Sequence, residues 1–237
     1  LQVLLQAGTR PLLIDPGQTD YADPRSVELR KAERHNVVVV AEAYPARPAP
    51  RRLGFVSTDT ADLTAAELTG EGWGHRRLVL MVRPGPGDGP VWARHAYGLV
   101  VDQLSSARAS GTTRYFQFPP GTDPLIDGTV MRTRFAEQPG LAVYFPTAET
   151  ATLTTREIPT GPRSFATGPQ LQLRHSAEGA RTLYALLVPA AAESDLPTVT
   201  VLPGSDATLR LRVAFPSGQV DTLTVDPTAV SARVERS

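Results

Sequence analysis

The sequence has 237 residues, with 24 Lys and Arg against 24 Asp and Glu. It has no cysteine, which excludes a disulfide framework, a thiolate metal site and a cysteine nucleophile, and a chain of this length can bury a sizeable core without them. The zero formal net charge argues against a general nucleic-acid-binding surface.

The N-terminal residues predict two short strands. Leu1–Gln6 and Pro11–Ile14 have strand-like composition and are separated by the turn Ala7–Arg10. The start of the chain has neither the basic region nor the cleavage site of a signal peptide, and no apolar run reaches the roughly 18 residues of a membrane span. Because a strand begins at residue 1, we expect the sequence to be a fragment of a larger protein.

One segment has helical character. Pro24–Glu33 follows Asp23, a suitable N-cap, and carries proline at the first helical position. Its few apolar positions leave a second interpretation open, an extended surface loop.

Short β-branched or aromatic runs that end in Gly and Pro dominate the rest of the chain, which is typical of an all-β protein. The predicted strands are Asn36–Tyr44, Arg52–Ser57, Arg77–Arg83, Val91–Gln103, Thr112–Phe118, Thr129–Phe135, Leu141–Phe145, Ala151–Arg156, Leu171–His175, Thr182–Pro189, Thr198–Leu202, Thr208–Phe215 and Gln219–Val225. About 15 strands are too many for one flat sheet. We therefore predict a multi-stranded antiparallel β-sandwich with little helix, as one domain over residues 1–237.

Hydrophobic patterning predicts which strands are covered. In Leu209–Phe215 apolar and polar residues alternate, which indicates one buried and one wet face. Val37–Val40 and Gly98–Val101 are continuous apolar runs and predict central strands covered on both sides.

Few residues suit catalysis or metal binding. The four histidines are His35, His75, His95 and His175. Asp15-Pro16-Gly17 reads as a tight turn capped by the Asp side chain, and His35-Asn36 as a pair that satisfies backbone groups at the start of a strand. The alternative is that Asp15 and His35 share a metal.

The other candidates are weaker. Trp73–Arg77 could contact a sugar or uronate, but such a segment is more often a loop leading into the exposed side of a strand. We expect Arg94-His95 on the outward face of a strand and His175 at the surface. The sequence has no phosphate-binding loop, no Gly-x-Ser-x-Gly motif and no convincing pair of catalytic carboxylates.

Several segments, in order, resemble the C-terminal β-sandwich of the heparinase II/III-like polysaccharide lyases. The matching segments are Gly8–Gly17, Tyr21, Arg34–Val39, Tyr97–Leu104, Tyr115–Gly121 and Ala185–Pro189. The resemblance implies a parent enzyme, secreted or periplasmic, whose N-terminal α-helical toroid is absent here. Such enzymes cleave uronate-containing polysaccharides, glycosaminoglycans or alginate among them, by β-elimination. The main catalytic residues lie in the toroid, so this fragment alone should be inactive.

The resemblance also implies a site. Asp15 and His35 match two ligands of a divalent metal, zinc by preference, whose His-rich third segment would precede Leu1. Lys31-Ala32-Glu33 departs from the small or hydroxyl residue usual before the His-Asn pair. The implied partners are an acidic polysaccharide and the missing helical domain.

Arginines are the residues that could meet a uronate. Lys31 is the only lysine, so nearly all positive charges are guanidinium groups, which suit recognition of carboxylates and sulfates. We predict substrate contacts for Arg34, Asn36 and Arg76. The wider set also includes Arg25, Arg30 and Arg77.

Two other classes stay open from the sequence. A non-catalytic carbohydrate-binding or structural sandwich would present an aromatic platform on one exposed sheet face, which 15 Phe, Trp and Tyr residues in total favour only weakly. An adhesin-like interaction module would need an exposed edge strand with little charge.

Overall fold

A computed structural model describes residues 1–40, 49–70, 73–86, 94–106, 111–134, 139–176, 179–204 and 208–237. Eighteen strands occur in these ranges and all of their pairings are antiparallel. The strands are β1 (Leu5–Ala7), β2 (Arg10–Leu13), β3 (Val38–Val40), β4 (Arg51–Ser57), β5 (Ala61–Gly70), β6 (Trp73–Val82), β7 (Tyr97–Ser106), β8 (Thr112–Gln117), β9 (Pro124–Asp127), β10 (Val130–Thr133), β11 (Gly140–Tyr144), β12 (Thr150–Gly161), β13 (Ser164–His175), β14 (Arg181–Ala190), β15 (Thr198–Val201), β16 (Leu209–Ala214), β17 (Val220–Asp226) and β18 (Ser231–Arg236).

An eight-stranded sheet forms the middle layer. Its order is β4-β5-β6-β7-β14-β11-β10-β9, and two four-stranded sheets, β12-β13-β8-β3 and β15-β16-β17-β18, complete the large layers. The β1–β2 hairpin packs its buried residues into the same core as the β12-β13-β8-β3 sheet. The predicted all-β antiparallel sandwich is therefore confirmed.

Alternating residues of the middle sheet enter two different cores. In β7, Leu99 and Val101 pack with the C-terminal sheet, whereas Val100 packs with the β12-β13-β8-β3 side. In β14, Leu186 and Leu187 divide in the same way. Successive side chains of a strand point to opposite faces, so a strand covered twice needs an unbroken apolar run. The prediction for Gly98–Val101 is confirmed.

The C-terminal sheet has one buried face. Leu211 and Val213 are fully buried and Arg212 is exposed, as the alternation predicts. A polar contact fixes this sheet on the middle layer, because the Tyr97 hydroxyl donates to Asp221 Oδ2 at 2.9 Å. Arg236 also bonds to the Asp221 carboxylate.

The structure corrects several predicted elements. Val37–Val40 is not a central strand, because β3 is the last strand of its sheet in the described ranges, and Val37 and Val39 are only half-buried. Strands β5, β9 and β18 were not predicted, and β6 begins at Trp73 instead of Arg77. The predicted Asn36–Tyr44 and Val91–Gln103 reach partly outside the described residues.

The helical segment is shorter than predicted. An α-helix, α1, covers Arg25–Leu29, and a 3-10 turn follows at Ala32–Arg34. Asp23 Oδ1 accepts the backbone N–H of Arg25 at 2.9 Å, but the predicted N-cap is wrong by one position, because Pro24 is the N-cap of α1. These two short helical elements lie in the segment that connects β2 to His35. No helix among the described residues has the length and apolarity needed to cross a lipid bilayer.

Candidate functional site

Asp15 and His35 lie in direct contact. His35 Nδ1 is 2.9 Å from Asp15 Oδ2, which is hydrogen-bond distance and close enough for both side chains to contact the same ligand. Asp15 follows β2, and its Oδ1 accepts the N–H of Gly17, which adopts φ of 75° in the turn. Burial alone would raise the pKa of Asp15, but hydrogen bonds from Gln2, Gly17 and His35 outweigh it and lower that pKa. The predicted turn and the predicted proximity both occur.

His35 keeps one ring nitrogen for other partners. Nδ1 faces the carboxylate, and Nε2 has no hydrogen-bond partner within the part of the chain that the structure describes. The two side chains are 24% and 34% exposed, which keeps the pair accessible. The adjacent Nδ1 and Oδ2 atoms could take one metal ion between them in place of their hydrogen bond.

The donor types of this pair suit zinc, but the set is incomplete. Imidazole nitrogen and carboxylate oxygen are common Zn²⁺ ligands, and structural zinc takes four ligands. No group of three or more His, Cys, Asp or Glu that could hold a metal occurs within the described ranges. Asp15 and His35 thus fit as two ligands, and the rest would have to come from elsewhere.

Asn36 does not line a surface. It is 1% exposed, its Nδ2 donates to the carbonyls of Val3 and Ile14, and its Oδ1 accepts the N–H of Gln117. Backbone carbonyls therefore accept both N–H groups of the Asn36 side chain. The predicted substrate contact of Asn36 is corrected: the side chain satisfies loose backbone groups.

The predicted substrate arginines differ in their surroundings. Arg34 is 4% exposed and donates through Nη2 to the carbonyl of Glu157. Arg76 is half-buried and bonds to Glu67 and to the carbonyls of Pro227 and Thr228. Neither arginine extends freely into solvent, and in the described ranges neither guanidinium bonds to Asp15 or His35.

The segment Trp73–Arg77 is strand, and its polar residues are inside the protein. His75 and Arg77 are 2% and 4% exposed, which corrects the expectation of a loop and an exposed strand face. Their partner is Asp102 of β7, which is fully buried. Arg77 Nε lies 2.7 Å from Asp102 Oδ1, and His75 Nε2 lies 2.8 Å from the same oxygen. The sequence signal that could have revealed this cluster is Asp102, a single carboxylate directly after the apolar run Gly98–Val101.

The buried cluster continues into the next layer. Arg114 of β8 is also fully buried, with Nη1 3.9 Å from Asp102 Oδ2. Its Nε donates to Glu149 Oε1 at 3.0 Å, and Nη2 pairs with Glu149 Oε2. Burial alone would raise the pKa of Asp102, but Arg77 and the hydrogen bond from His75 hold it below its ordinary range.

His75 and His35 line the same small cavity. This cavity of about 250 Å³ also contacts Leu1, Gln2 and Val37. Burial lowers the pKa of His75, although Asp102 opposes the shift. A neutral His75 that donates from Nε2 to the carboxylate has an unprotonated Nδ1, and that atom has no hydrogen-bond partner in the described structure.

Solved structures share this fold. No protein-family model and no curated protein sequence matches the chain. A heparinase III gene product matches with a TM-score of 0.74 at 14% identity, covering 92% of this chain and 34% of that one. The heparan sulfate lyase HepC from Pedobacter heparinus matches with a TM-score of 0.74 at 13% identity, covering 92% and 35%. A further heparinase III matches with a TM-score of 0.72 at 16% identity, covering 92% and 34%.

Identity this low establishes the fold alone. The chain spans about one third of the length of each solved protein that it matches. The resemblance that its sequence motifs carry is therefore confirmed at the level of the fold. This chain has the same fold as about one third of each heparinase III or heparan sulfate lyase chain.

Proposed function

We propose that this chain is the β-sandwich part of a polysaccharide lyase that cleaves uronate-containing glycans. The observation that supports the proposal most is the fold match over 92% of this chain with heparinase III and a heparan sulfate lyase. The half-buried Asp15–His35 pair agrees with it, because the same motifs predict that pair. The proposed substrate class is an acidic glycan such as heparan sulfate.

The reaction proposed for the parent enzyme is a β-elimination. A base removes the proton at C5 of the uronate, the C4–O bond breaks, a C4–C5 double bond forms, and an acid protonates the leaving oxygen. The described residues contain no complete set of such groups around one open cleft. The proposal therefore assigns binding and positioning to this chain and catalysis to a further domain.

The first experiment separates binding from turnover. The chain is incubated with heparin, hyaluronan and alginate while the ultraviolet absorbance of unsaturated uronate is followed, and binding is measured by affinity electrophoresis with neutral dextran as the matched control. We expect no rise in absorbance, and retardation by at least one acidic glycan but not by dextran. Clear turnover would contradict the division of roles, and equal migration in all gels would contradict the substrate class.

We also propose that Asp15 and His35 provide two ligands of a divalent metal, zinc by preference. Zinc held there would tie the turn after β2 to the segment before β3, which is a structural role and needs no catalytic step at the metal. Isothermal titration with Zn²⁺ should detect one site in the wild type and none in His35→Ala. His175→Ala is the matched control and should bind as the wild type does. Zinc binding that is unchanged in His35→Ala would rule out this site.

A non-catalytic sugar-binding module remains the second candidate. Among the described residues, the large exposed aromatics are Tyr21 and Phe55, which lie on a loop and on the edge strand β4. They do not form a platform on one sheet face. This arrangement gives the second candidate no specific support.

A further inference from the structure

A second cavity lies between α1 and the strands β12 and β13. Its volume is about 280 Å³, and three guanidinium groups line it, those of Arg25, Arg34 and Arg156. The lining also includes an aromatic residue, Phe165, and two acidic residues, Glu28 and Glu157. The cavity is distinct from the one that His35 and His75 line.

Arg34 is a buried cation that forms no salt bridge with any described residue. It is 4% exposed, and its one hydrogen bond in the described structure goes to a backbone carbonyl, that of Glu157. Its Nε is buried and has no hydrogen-bond partner among the described residues. No carboxylate forms a salt bridge with it in the described ranges, although Glu28, Glu33 and Glu157 are near enough to favour its charge. A buried charge without a paired ion is costly, so this arrangement favours an anion.

Arg156 adds a second unpaired charge beside it. Its Nε donates to Gln170 Oε1 at 3.2 Å, and no salt bridge to its guanidinium occurs within the described residues. Burial and then the neighbouring Arg156 lower the pKa of Arg34. Glu28 pairs with Lys31 at the outer side of α1, so it does not neutralise the two arginines directly. Two like charges held close together are stabilised by an anion between them.

Arg25 also lines the cavity, but its guanidinium, unlike those of Arg34 and Arg156, is paired with a carboxylate. Its guanidinium lies 3.5 Å from the centre of the Phe165 ring and is paired with the Asp23 carboxylate through Nε and Nη2. Its charge is therefore already balanced, and it holds Phe165 in place. The half-buried Phe165 ring offers an apolar face next to Arg34 and Arg156, neither of which forms a salt bridge in the described ranges.

We propose that this cavity binds the oxyanion of an acidic sugar, a sulfate or a carboxylate, between Arg34 and Arg156. Guanidinium groups bind such oxyanions in bidentate, charge-assisted geometry. The sugar as the carrier of the oxyanion rests on the proposed function. The anion site itself needs only the two arginines.

The test compares Arg156→Gln with Arg212→Gln. Arg156 is half-buried on a strand and its loss should leave the fold intact, which circular dichroism and the melting temperature without ligand check. Arg212 is exposed on β16 of the C-terminal sheet and provides the matched loss of one charge. Binding of inorganic sulfate is titrated against chloride at constant ionic strength. Titrations with a sulfated heparan oligosaccharide and with its desulfated form follow.

We expect the wild type and Arg212→Gln to bind sulfate equally and Arg156→Gln to bind it about tenfold more weakly or worse. The sulfated oligosaccharide should follow the same order. Equal sulfate binding by all three proteins would overturn the site. If Arg156→Gln loses sulfate binding but retains glycan binding in full, the sugar as the ligand of this site is overturned, while the anion site and the proposed function stand. Arginine-dependent sulfate binding without any glycan binding would keep the anion site and overturn the sugar as its source.

Discussion

Asn36 is the only asparagine in the chain, and its side chain joins three segments that are far apart in sequence. It bonds to Val3, before β1, to Ile14, after β2, and to Gln117, at the end of β8. Its removal leaves two carbonyls and one N–H without partners inside the protein. We expect Asn36→Ala to lower the free energy of unfolding by about 3 kcal/mol, measured by urea denaturation.

The control for this change is Gln103→Ala. Gln103 makes one long surface hydrogen bond, to Thr228 at 3.3 Å. Its loss should change the free energy of unfolding by less than about 0.5 kcal/mol. If the two variants lose equal stability, Asn36 does not have the joining role that its contacts indicate.

Single residues show why sequence reasoning succeeds at some positions and not at others. The turn at Asp15-Pro16-Gly17 follows from local chemistry, and the contact of Asp15 with His35 was expected from a motif resemblance. The burial of His75 and Arg77 depends on Asp102, a partner 27 and 25 positions away from them. A buried strand whose charged side chains pair with a neighbouring strand has the same sequence pattern as an exposed strand. Periodicity alone therefore predicts the wrong burial for such a strand.

At the scale of elements, the predicted strands are those with β-branched or aromatic runs. Strand β5 was missed because Ala, Glu and Asp interrupt its apolar positions, although Ala61, Leu63 and Ala65 face the core. Strand β18 has an alternating pattern with only partly buried residues, because it ends its sheet. The order of strands depends on pairings such as β7 with β14, which lie about 80 positions apart and leave no local signal.

Strands β6 and β7 share a titratable pair, and we expect it to make stability depend on pH. Burial lowers the pKa of His75, so the unfolded chain takes up a proton more readily than the folded one. Stability from the neutral ring is complete above the unfolded-state pKa near 6.5 and decreases as the pH falls below it. The free energy of unfolding of the wild type should therefore fall between pH 7 and pH 5.

The variant His75→Gln removes the titrating group and keeps a donor for Asp102. Urea midpoints at pH 7 and pH 5 should differ less in His75→Gln than in the wild type. His175→Gln is the control and should keep the wild-type difference. A pH dependence that is the same in His75→Gln would mean that His75 does not titrate differently in the folded and unfolded states.

At the scale of the whole molecule, the described chain forms three layers of sheet around two cores. The middle sheet is covered on both sides, so its strands cannot be replaced without repacking both cores. The functional candidates lie outside those cores, at the turn after β2 and around α1. The motif order was sufficient to indicate this fold, whereas the anion cavity required the positions of Arg34 and Arg156 in three dimensions.

The ion pair between Arg77 and Asp102 also has a consequence for how the chain reaches this structure. The two residues are direct cross-strand neighbours of β6 and β7. A slip of one position would turn them to opposite faces and leave two buried charges apart, which costs several kcal/mol. An apolar pair would tolerate such a slip far better. The pair therefore favours the native register of β6 and β7 over registers slipped by one position.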